Sequence, residues 1–224
     1  MKAAAPARAR ALRPILFPPG SLPWMVPGVV AGGLAPLAAI AIRGALHRLG
    51  ANPIAEALNE LGLLALIFLV ASLACTPLKI AFGWVWPIRV RKTLGLLAFF
   101  YASLHMLTYA GLDQLFDVRA IAKDIAERAF ILVGFVAWLV LVPLAVTSTS
   151  RMLKRLGQAR WKQLHKLAYL AAILGVVHFV LRVKKDVAEP AIYGVVLGIL
   201  FAVRLVAWAR RRAAELERVY RVDD

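Results

Sequence analysis

Residues 61–78 read LGLLALIFLVASLACTPL, a run that contains no Asp, Glu, Lys or Arg. A helix rises about 1.5 Å per residue and the hydrocarbon layer of a bilayer is about 30 Å thick, so a spanning helix needs roughly 20 mainly apolar residues. Three more runs lack those charged residues, and two others contain a single basic residue each. The six segments are 24–42, 61–78, 93–112, 129–150, 164–181 and 190–209. They predict an all-α, polytopic membrane protein built as a bundle of six transmembrane helices.

The composition of the whole chain supports a lipid solvent. Of its 224 residues 62% are hydrophobic, against roughly 45–50% in soluble domains. The formal net charge of +16 would point to nucleic acid in a soluble protein, but the long uncharged stretches argue against such a partner and for the lipid bilayer. A single cysteine, Cys75, excludes a disulfide framework within the chain, a Cys-rich zinc site and a Cys-ligated iron–sulfur cluster.

The basic residues are distributed unevenly between the two sides of the predicted bundle. One side collects 20 Lys and Arg and the other 8, and the side richer in them faces the cytoplasm under the positive-inside rule. Both termini are therefore expected in the cytoplasm. We predict a basic cytoplasmic tail over 1–23, the six-helix domain over 24–209 and a cytoplasmic tail over 210–224, with room for a surface helix in 113–128. The first segment also allows a cleaved signal peptide, but its long, proline-bearing leader fits a retained span better.

Three of the four histidines lie in or at predicted spans. A polar ring in lipid is penalised unless it finds a partner, so such residues are candidates for function. His105 and His178 lie about eleven and fourteen residues past the starts of two helices that run in the same direction, which places both rings at similar depth, toward the outer leaflet. Two imidazoles facing each other across a bundle can clamp haem iron from both sides. We therefore predict a b-type haem held between helices, since no Cys-x-x-Cys-His motif is present.

The third histidine, His165, does not fit this arrangement of two facing rings. His165 lies thirteen residues before His178, about 20 Å along the helix, and is turned about 140° from it unless the helix bends, for example near Gly175. Three alternatives stay open: His165 ligates iron with a partner other than histidine or with water, it contacts another cofactor, or the histidines pair differently from what their depth predicts. Two other interpretations of the histidines are hydrogen bonds between helices and a proton relay, although a relay usually brings intramembrane Asp or Glu. His47, in a polar turn, is expected to be solvated.

Several spaced motifs carry a resemblance to a known family. They are residues 147–157 (TSTSRMLKRLG), 160–169 (RWKQLHKLAY), His178-Phe179, Asn52-Pro53, Thr76-Pro77-Leu78 and 89–95 (RVRKTLG) ahead of His105. Together, over about residues 50–185, they resemble the haem-binding membrane subunits of bacterial protein-methionine-sulfoxide reductase systems. That family belongs to the ferric-reductase-like transmembrane group.

The resemblance implies a set of expectations that the residues alone do not provide. It implies b-type haem ligated by His105, His165 and His178, with the number of haems left open, and flavin mononucleotide (FMN). It also implies a bacterial inner-membrane protein that is itself non-catalytic. Such a subunit takes electrons from membrane quinone and forms a heterodimer with a periplasmic molybdopterin methionine-sulfoxide reductase that repairs oxidised proteins.

Other functions remain as alternatives. A stand-alone ferric-chelate reductase is one, although those enzymes fuse a cytoplasmic FAD and NADPH domain, and no Gly-rich dinucleotide loop follows a strand in this sequence. Electrons are therefore expected from a membrane carrier or a separate flavoprotein. A transporter or assembly subunit without redox activity is another, but no internal repeat supports transport. A flavin phosphate or an acidic partner could bind the basic residues on the predicted cytoplasmic side of the bundle. The positive-inside rule alone also explains why basic residues lie there. These residues are Arg89, Arg91, Lys92, Arg151, Lys154, Arg155, Arg160 and Lys162.

Overall fold

A computed structural model of the chain describes residues 23–183 and 186–220, with side chains described up to residue 217. Every regular element in these two ranges is a helix. The helices are α1 (Met25–Ala45), α2 (Pro53–Phe82), α3 (Trp86–Thr108, continued by a π-helical turn over Tyr109–Asp113), α4 (Val118–Glu127), α5 (Ala129–Val146), α6 (Ser150–Leu156), α7 (Gln158–Leu164), α8 (Leu167–Arg182) and α9 (Ala188–Tyr220). The predicted N-terminal tail up to residue 22, Lys184, Lys185 and the last four residues lie outside the described ranges.

Six helical segments of the described chain are long and apolar enough to cross a membrane. They are Met25–Ala45, Pro53–Phe82, Trp86–Asp113, Ala129–Val146, Gln158–Arg182 and Ala188–Glu217. The prediction of an all-α bundle with six spans is confirmed, and the protein is a multi-pass membrane protein. The surface helix expected in 113–128 is α4, which begins where the Asp117 carboxylate accepts hydrogen bonds from the amides of Arg119 and Ala120.

Helix α2 lies at the centre of the bundle. In its most apolar window 44% of the residues are buried, against 11–17% in the other five spans, whose outward faces present aliphatic side chains to lipid. The main core joins α2 to four other helices through Leu66, Leu69, Val70, Leu73, Ala98, Leu141, Ala171, Ala172, Leu197 and Leu200. Because α1, α3, α8 and α9 all contact α2, that helix fixes how the functional side chains of its neighbours face each other.

The ends of α2 follow from local sequence. The Asn52 side chain accepts a hydrogen bond from the amide of Ala55 at 3.1 Å, and Pro53 occupies the first helical position, where its missing N–H costs nothing. Gly83 ends the helix in the left-handed conformation, with φ of 72°. These two signals set a helix of 30 residues, longer than the uncharged run 61–78.

Helix α1 is tied to α3 by one buried hydrogen bond. The Tyr101 hydroxyl, fully buried, donates to the carbonyl oxygen of Gly33 at 2.6 Å. A Cβ at Gly33 would lie 2.5 Å from the end of the Leu97 side chain, which would have to move, so glycine makes this approach of α1 and α3 easier. Tyr101 also packs against Ile40 and Leu61 in a second core cluster.

The fifth span differs from the continuous helix that the sequence predicts. It is divided into α7 and α8 by a turn at His165 and Lys166, and α8 runs without interruption through Gly175, where a bend was considered. Before α7, Gly157 adopts a φ of 74° and joins it to the short helix α6. His165 therefore lies at a helix junction and not within a continuous helix.

Candidate functional site

Two cavities lie in the described part of the bundle, one toward each end. The first cavity, of about 580 Å³, lies toward the end where α2, α5 and α9 begin and where α3 and α8 finish. The second cavity, of about 360 Å³, lies toward the opposite end, where α3 and α8 begin and α5 finishes. Both volumes fall in the range of small-molecule and cofactor sites. Leu69 and Leu141 line both cavities and so form part of the wall between them.

His105 and His178 meet in the first cavity, as their matched depth predicts. Their ring centroids are 6.1 Å apart and their planes are inclined at 84°. His105 comes from the last turn of α3 and His178 from α8, and α2 and α5 supply the walls against which the rings rest.

The two rings are anchored in the same way. Nδ1 of His105 lies 2.9 Å from the carbonyl oxygen of Leu58 on α2, and Nδ1 of His178 lies 2.6 Å from the carbonyl oxygen of Phe130 on α5. A carbonyl only accepts, so each Nδ1 carries the proton and donates it. Each Nε2 is then left with a free lone pair, the form in which imidazole binds a metal ion.

Two glycines make room for these rings. Gly62 lies four residues after Leu58, and a Cβ built on it would come within 3.1 Å of the His105 ring. Gly134 lies four residues after Phe130, and a Cβ there would come within 2.6 Å of Nδ1 of His178. Each histidine therefore packs on a glycine of the neighbouring helix and donates to the carbonyl one turn before it. A Cβ at Gly134 would force the His178 ring to move, and one at Gly62 would press more lightly on His105.

The residues present fit an iron porphyrin. A metal ion binds an imidazole nitrogen at about 2.0–2.1 Å, so two rings on opposite sides of one ion have centres about 6 Å apart, close to the 6.1 Å observed. The described residues contain no group of three or more His, Cys, Asp or Glu side chains placed to share a metal ion. A pair of ligands without further protein ligands matches haem, which supplies the remaining positions from its own ring.

His165 lies apart from this pair, in the wall of the second cavity. Its Nε2 is 3.2 Å from Oγ1 of Thr147, and its ring stacks on Trp161 with centroids 3.9 Å apart. The Thr147 hydroxyl lies 2.6 Å from the carbonyl oxygen of Pro143, and Nε1 of Trp161 donates to the carbonyl oxygen of Thr147 at 2.9 Å. Of the three histidines predicted as haem ligands, the structure therefore brings His105 and His178 together and places His165 in a separate cavity.

The second cavity combines positive charge, hydroxyl groups and aromatic surface. Arg91 and Lys92 line it from the first turns of α3, and Trp161 and His165 from the junction of α7 and α8. Its hydroxyl-bearing lining residues are Ser72, Ser148, Thr149 and Ser150. A site of this composition suits a ligand that has both an anionic group and a flat ring.

The open end of the first cavity is polar. Helix α4 lies beside it, contributing Ile121 and Ile125 to the lining, and Tyr109 donates to the Asp124 carboxylate at 3.0 Å. At the same end Arg43 of α1 pairs with Glu56 and Glu60 of α2. These bonds hold α1 and α4 against the bundle around the cavity.

Sequence reasoning found the two facing histidines but not the groups that orient them. Gly62, Gly134 and the carbonyls of Leu58 and Phe130 are absent from the predicted site. A glycine inside an apolar helix is a signal of close approach between helices, and it was available at both positions. The carbonyl partners could not be predicted because any residue type supplies the same oxygen.

The fold and the histidine pair define a ferric-reductase-like transmembrane component. A model of the family described as "Ferric reductase like transmembrane component" matches residues 59–176 of the chain, which include Leu69 and Leu141 between the two cavities. His105 and His165 lie inside that match, and His178 lies two residues beyond it.

Similarity to curated proteins identifies the family to which the chain belongs within this class. The chain is 56% identical over 164 residues to "Protein-methionine-sulfoxide reductase heme-binding subunit MsrQ" of Rhodospirillum rubrum, covering 73% of this chain and 79% of that protein. Proteins of the same name in Deinococcus radiodurans and Ralstonia nicotianae are 48% and 40% identical, over 84% and 90% of this chain and 92% and 94% of theirs. The chain belongs to the MsrQ family within the ferric-reductase-like transmembrane proteins.

Proposed function

We propose that this protein is a haem b-binding electron-transfer subunit of the bacterial inner membrane. In this proposal it takes electrons from the quinone pool and passes them to a periplasmic molybdopterin methionine-sulfoxide reductase, which repairs oxidised proteins. The relatives' names describe haem-binding subunits of protein-methionine-sulfoxide reductases, which supports both the cofactor and the kind of partner. The protein itself carries electrons and is not the catalytic subunit.

The observation that carries the proposal is the paired geometry of His105 and His178. Both rings donate from Nδ1 to a backbone carbonyl, both rest on a glycine, and their centroids lie 6.1 Å apart in one cavity. Histidines that only joined helices would not need to lie in pairs with their rings facing one cavity. Nε2 of each ring is the proposed iron ligand.

The protein's own contribution is to position the ligands and to exclude water. When bound, haem supplies a one-electron carrier. The carbonyls of Leu58 and Phe130 fix the tautomer and orientation of each imidazole and raise its basicity as a ligand. Apolar side chains, among them Leu66 and Leu141, surround the rings and lower the local dielectric.

We place FMN, which the family resemblance implies, in the second cavity. Arg91 and Lys92 would bind its phosphate, and Trp161 with His165 would contact its ring system. In this proposal His165 belongs to the FMN site in the second cavity and is not one of the two iron ligands. Because Leu69 and Leu141 line both cavities, carriers in the two sites would be separated by little more than one layer of side chains.

The proposed orientation follows from charge. The end that holds the second cavity carries Arg89, Arg91 and Lys92, and the positive-inside rule places it in the cytoplasm with both termini. The histidine pair then lies in the outer half of the membrane, toward the periplasmic acceptor. Electrons would pass from the second cavity to the first and leave at the end beside α4.

A reconstituted system tests the function. The purified protein, loaded with haem b and FMN in liposomes, is reduced with a soluble quinol analogue. It is then mixed with a periplasmic molybdopterin methionine-sulfoxide reductase and methionine sulfoxide. We expect the quinol to reduce the haem and the partner to reoxidise it faster than a ferric chelate does. Faster reoxidation by the chelate would favour a ferric-chelate reductase, and no reduction by quinol would overturn the proposed donor.

A further inference from the structure

We propose that Arg128 and Arg182 bind the two propionate carboxylates of haem at the open end of the first cavity. Both side chains line that cavity, and they approach it from two different helix ends. The inference rests on the proposed function, because it assigns the orientation of the cofactor that His105 and His178 would hold.

Arg182 follows the proposed ligand His178 by four residues on α8. That spacing places both side chains on one face of the helix, with Arg182 about 6 Å nearer its end. One of its terminal nitrogens, Nη1, donates to Oδ1 of Asn59 on α2 at 2.5 Å. A guanidinium has five N–H donors, so this bond leaves several available. Among the described residues, no carboxylate oxygen forms an ion pair with Arg182.

Arg128 lies on the other side of the same ligand. It caps the start of α5, two residues before Phe130, whose carbonyl accepts from His178. Its Nε pairs with Oδ1 of Asp124 at 3.2 Å, and no other described carboxylate pairs with its guanidinium, so its two terminal nitrogens can bind a second carboxylate. α5 and α8 pack against each other, so the two arginines flank the mouth of the cavity near His178.

The chemistry of haem b calls for such a pair. Its two propionates project from one edge of the ring, and a carboxylate near the membrane interior needs a cation to offset its desolvation. Arginine suits this task because its planar fork binds a carboxylate through two parallel hydrogen bonds.

Acidic residues also lie at the open end of the first cavity, and they limit where the propionates can bind. Glu60 lines the cavity but is paired with Arg43, and the Asp113 carboxylate accepts from the side-chain Nε2 of Gln114 at 2.8 Å. Glu189 also lines the rim and would repel a propionate. The propionate edge is therefore expected on the side of Arg128 and Arg182, where the nearby carboxylate of Asp124 is already paired with Arg128, and away from Glu189.

The competing explanation is structural, since the bond from Arg182 to Asn59 ties α8 to α2. A ligand without carboxylates separates the two roles. Haem b and its dimethyl ester, in which both propionates are uncharged, are titrated into the apoprotein and followed by the Soret band. The proteins compared are the wild type, R128Q/R182Q, N59A and R119Q. Asn59→Ala removes the tie but keeps both charges, and Arg119→Gln removes a positive charge on α4 that does not line the cavity.

We expect the wild type to bind haem b roughly 10- to 100-fold more tightly than the ester, as charge-assisted hydrogen bonds to two carboxylates would give. R128Q/R182Q should bind the two ligands about equally, whereas N59A and R119Q should keep the wild-type preference. If the double variant fails to fold by circular dichroism, R128K and R182K, which keep the charge but lose the fork, should each show a reduced preference.

The inference is overturned if the wild type does not distinguish haem b from the ester, or if the double variant or both lysine variants keep the full preference. Haem b that binds without any preference contradicts the propionate assignment and leaves the proposed function standing. A wild-type protein that binds neither ligand contradicts the proposed function as well.

Discussion

The imidazole of His178 rests directly on Gly134, where an added Cβ would lie 2.6 Å from the ring's Nδ1. The carbonyl that this nitrogen meets belongs to Phe130, one helical turn before the glycine. His105 repeats the arrangement on Gly62 and Leu58 with slightly more room. The site is therefore built by two helix pairs of the same design, α3 on α2 and α8 on α5.

The two glycines are expected to differ in how much they tolerate a methyl group. Gly134→Ala should displace His178 and weaken haem binding by the equivalent of about 1–3 kcal/mol, the usual range for overpacking. Gly62→Ala, whose Cβ would lie 3.1 Å from the His105 ring, should have a smaller effect. Haem content per protein after purification measures both.

Gly198 supplies the matched control, since it lies inside α9 and a Cβ there would have no neighbour within 4 Å. Gly198→Ala should retain full haem content. An equal loss in all three variants would show that the close approach of ring and glycine does not matter.

Substitution of Thr147 should weaken FMN binding in the second cavity without changing haem binding in the first. Thr147→Val removes the oxygen that lies 3.2 Å from Nε2 of His165. The FMN bound by the purified protein should fall roughly 2- to 10-fold, the effect of one lost hydrogen bond, because His165 is no longer held against the second cavity. Haem content in the same sample should not change. Flavin released on denaturation and haem absorbance give the two values.

A parallel loss of haem in the Thr147→Val protein would contradict this division of the site. Unchanged FMN content, measured beside an Arg91→Gln protein that lacks one of the cavity's cations, would instead place the flavin elsewhere.

The hydroxyl of Tyr101 should contribute measurably to the stability of the bundle. Tyr101→Phe removes the buried hydrogen bond to Gly33 while keeping the ring. Hydrogen bonds between membrane helices average about 0.6 kcal/mol and reach about 1.7 kcal/mol, so the Tm in detergent should fall by about 2 °C. Tyr193→Phe is the control, since within the described residues its hydroxyl has no hydrogen bond. Equal shifts in the two proteins would argue against the α1–α3 tie.

The spans could be predicted from sequence because lipid imposes a simple demand. Uncharged runs such as 61–78 must satisfy their backbone groups within a helix, and their length must match the bilayer. The first and last residues of the helices were harder to predict from the sequence. α2 extends well beyond its apolar run because its caps at Asn52 and Gly83, and not hydropathy, set where it begins and ends.

Depth along the membrane predicted the pairing of His105 and His178, since both positions can be counted from helix starts. The same counting does not apply to His165, because the turn at His165–Lys166 separates α7 from α8. Close to that turn, the side chain of Trp161 donates to the carbonyl of Thr147, a contact between residues fourteen apart. No local pattern in the sequence announces such a contact.

The most direct test of the account is the reduced-minus-oxidised absorption spectrum of the purified protein with each histidine replaced in turn. We predict a b-type haem spectrum in the wild type and in His47→Ala, and a loss of roughly tenfold or more in His105→Ala and in His178→Ala. His165→Ala should keep the haem band. A wild-type protein without that band after haem reconstitution, or a band lost in His165→Ala but kept in His105→Ala, would contradict the central claim that His105 and His178 together hold the haem.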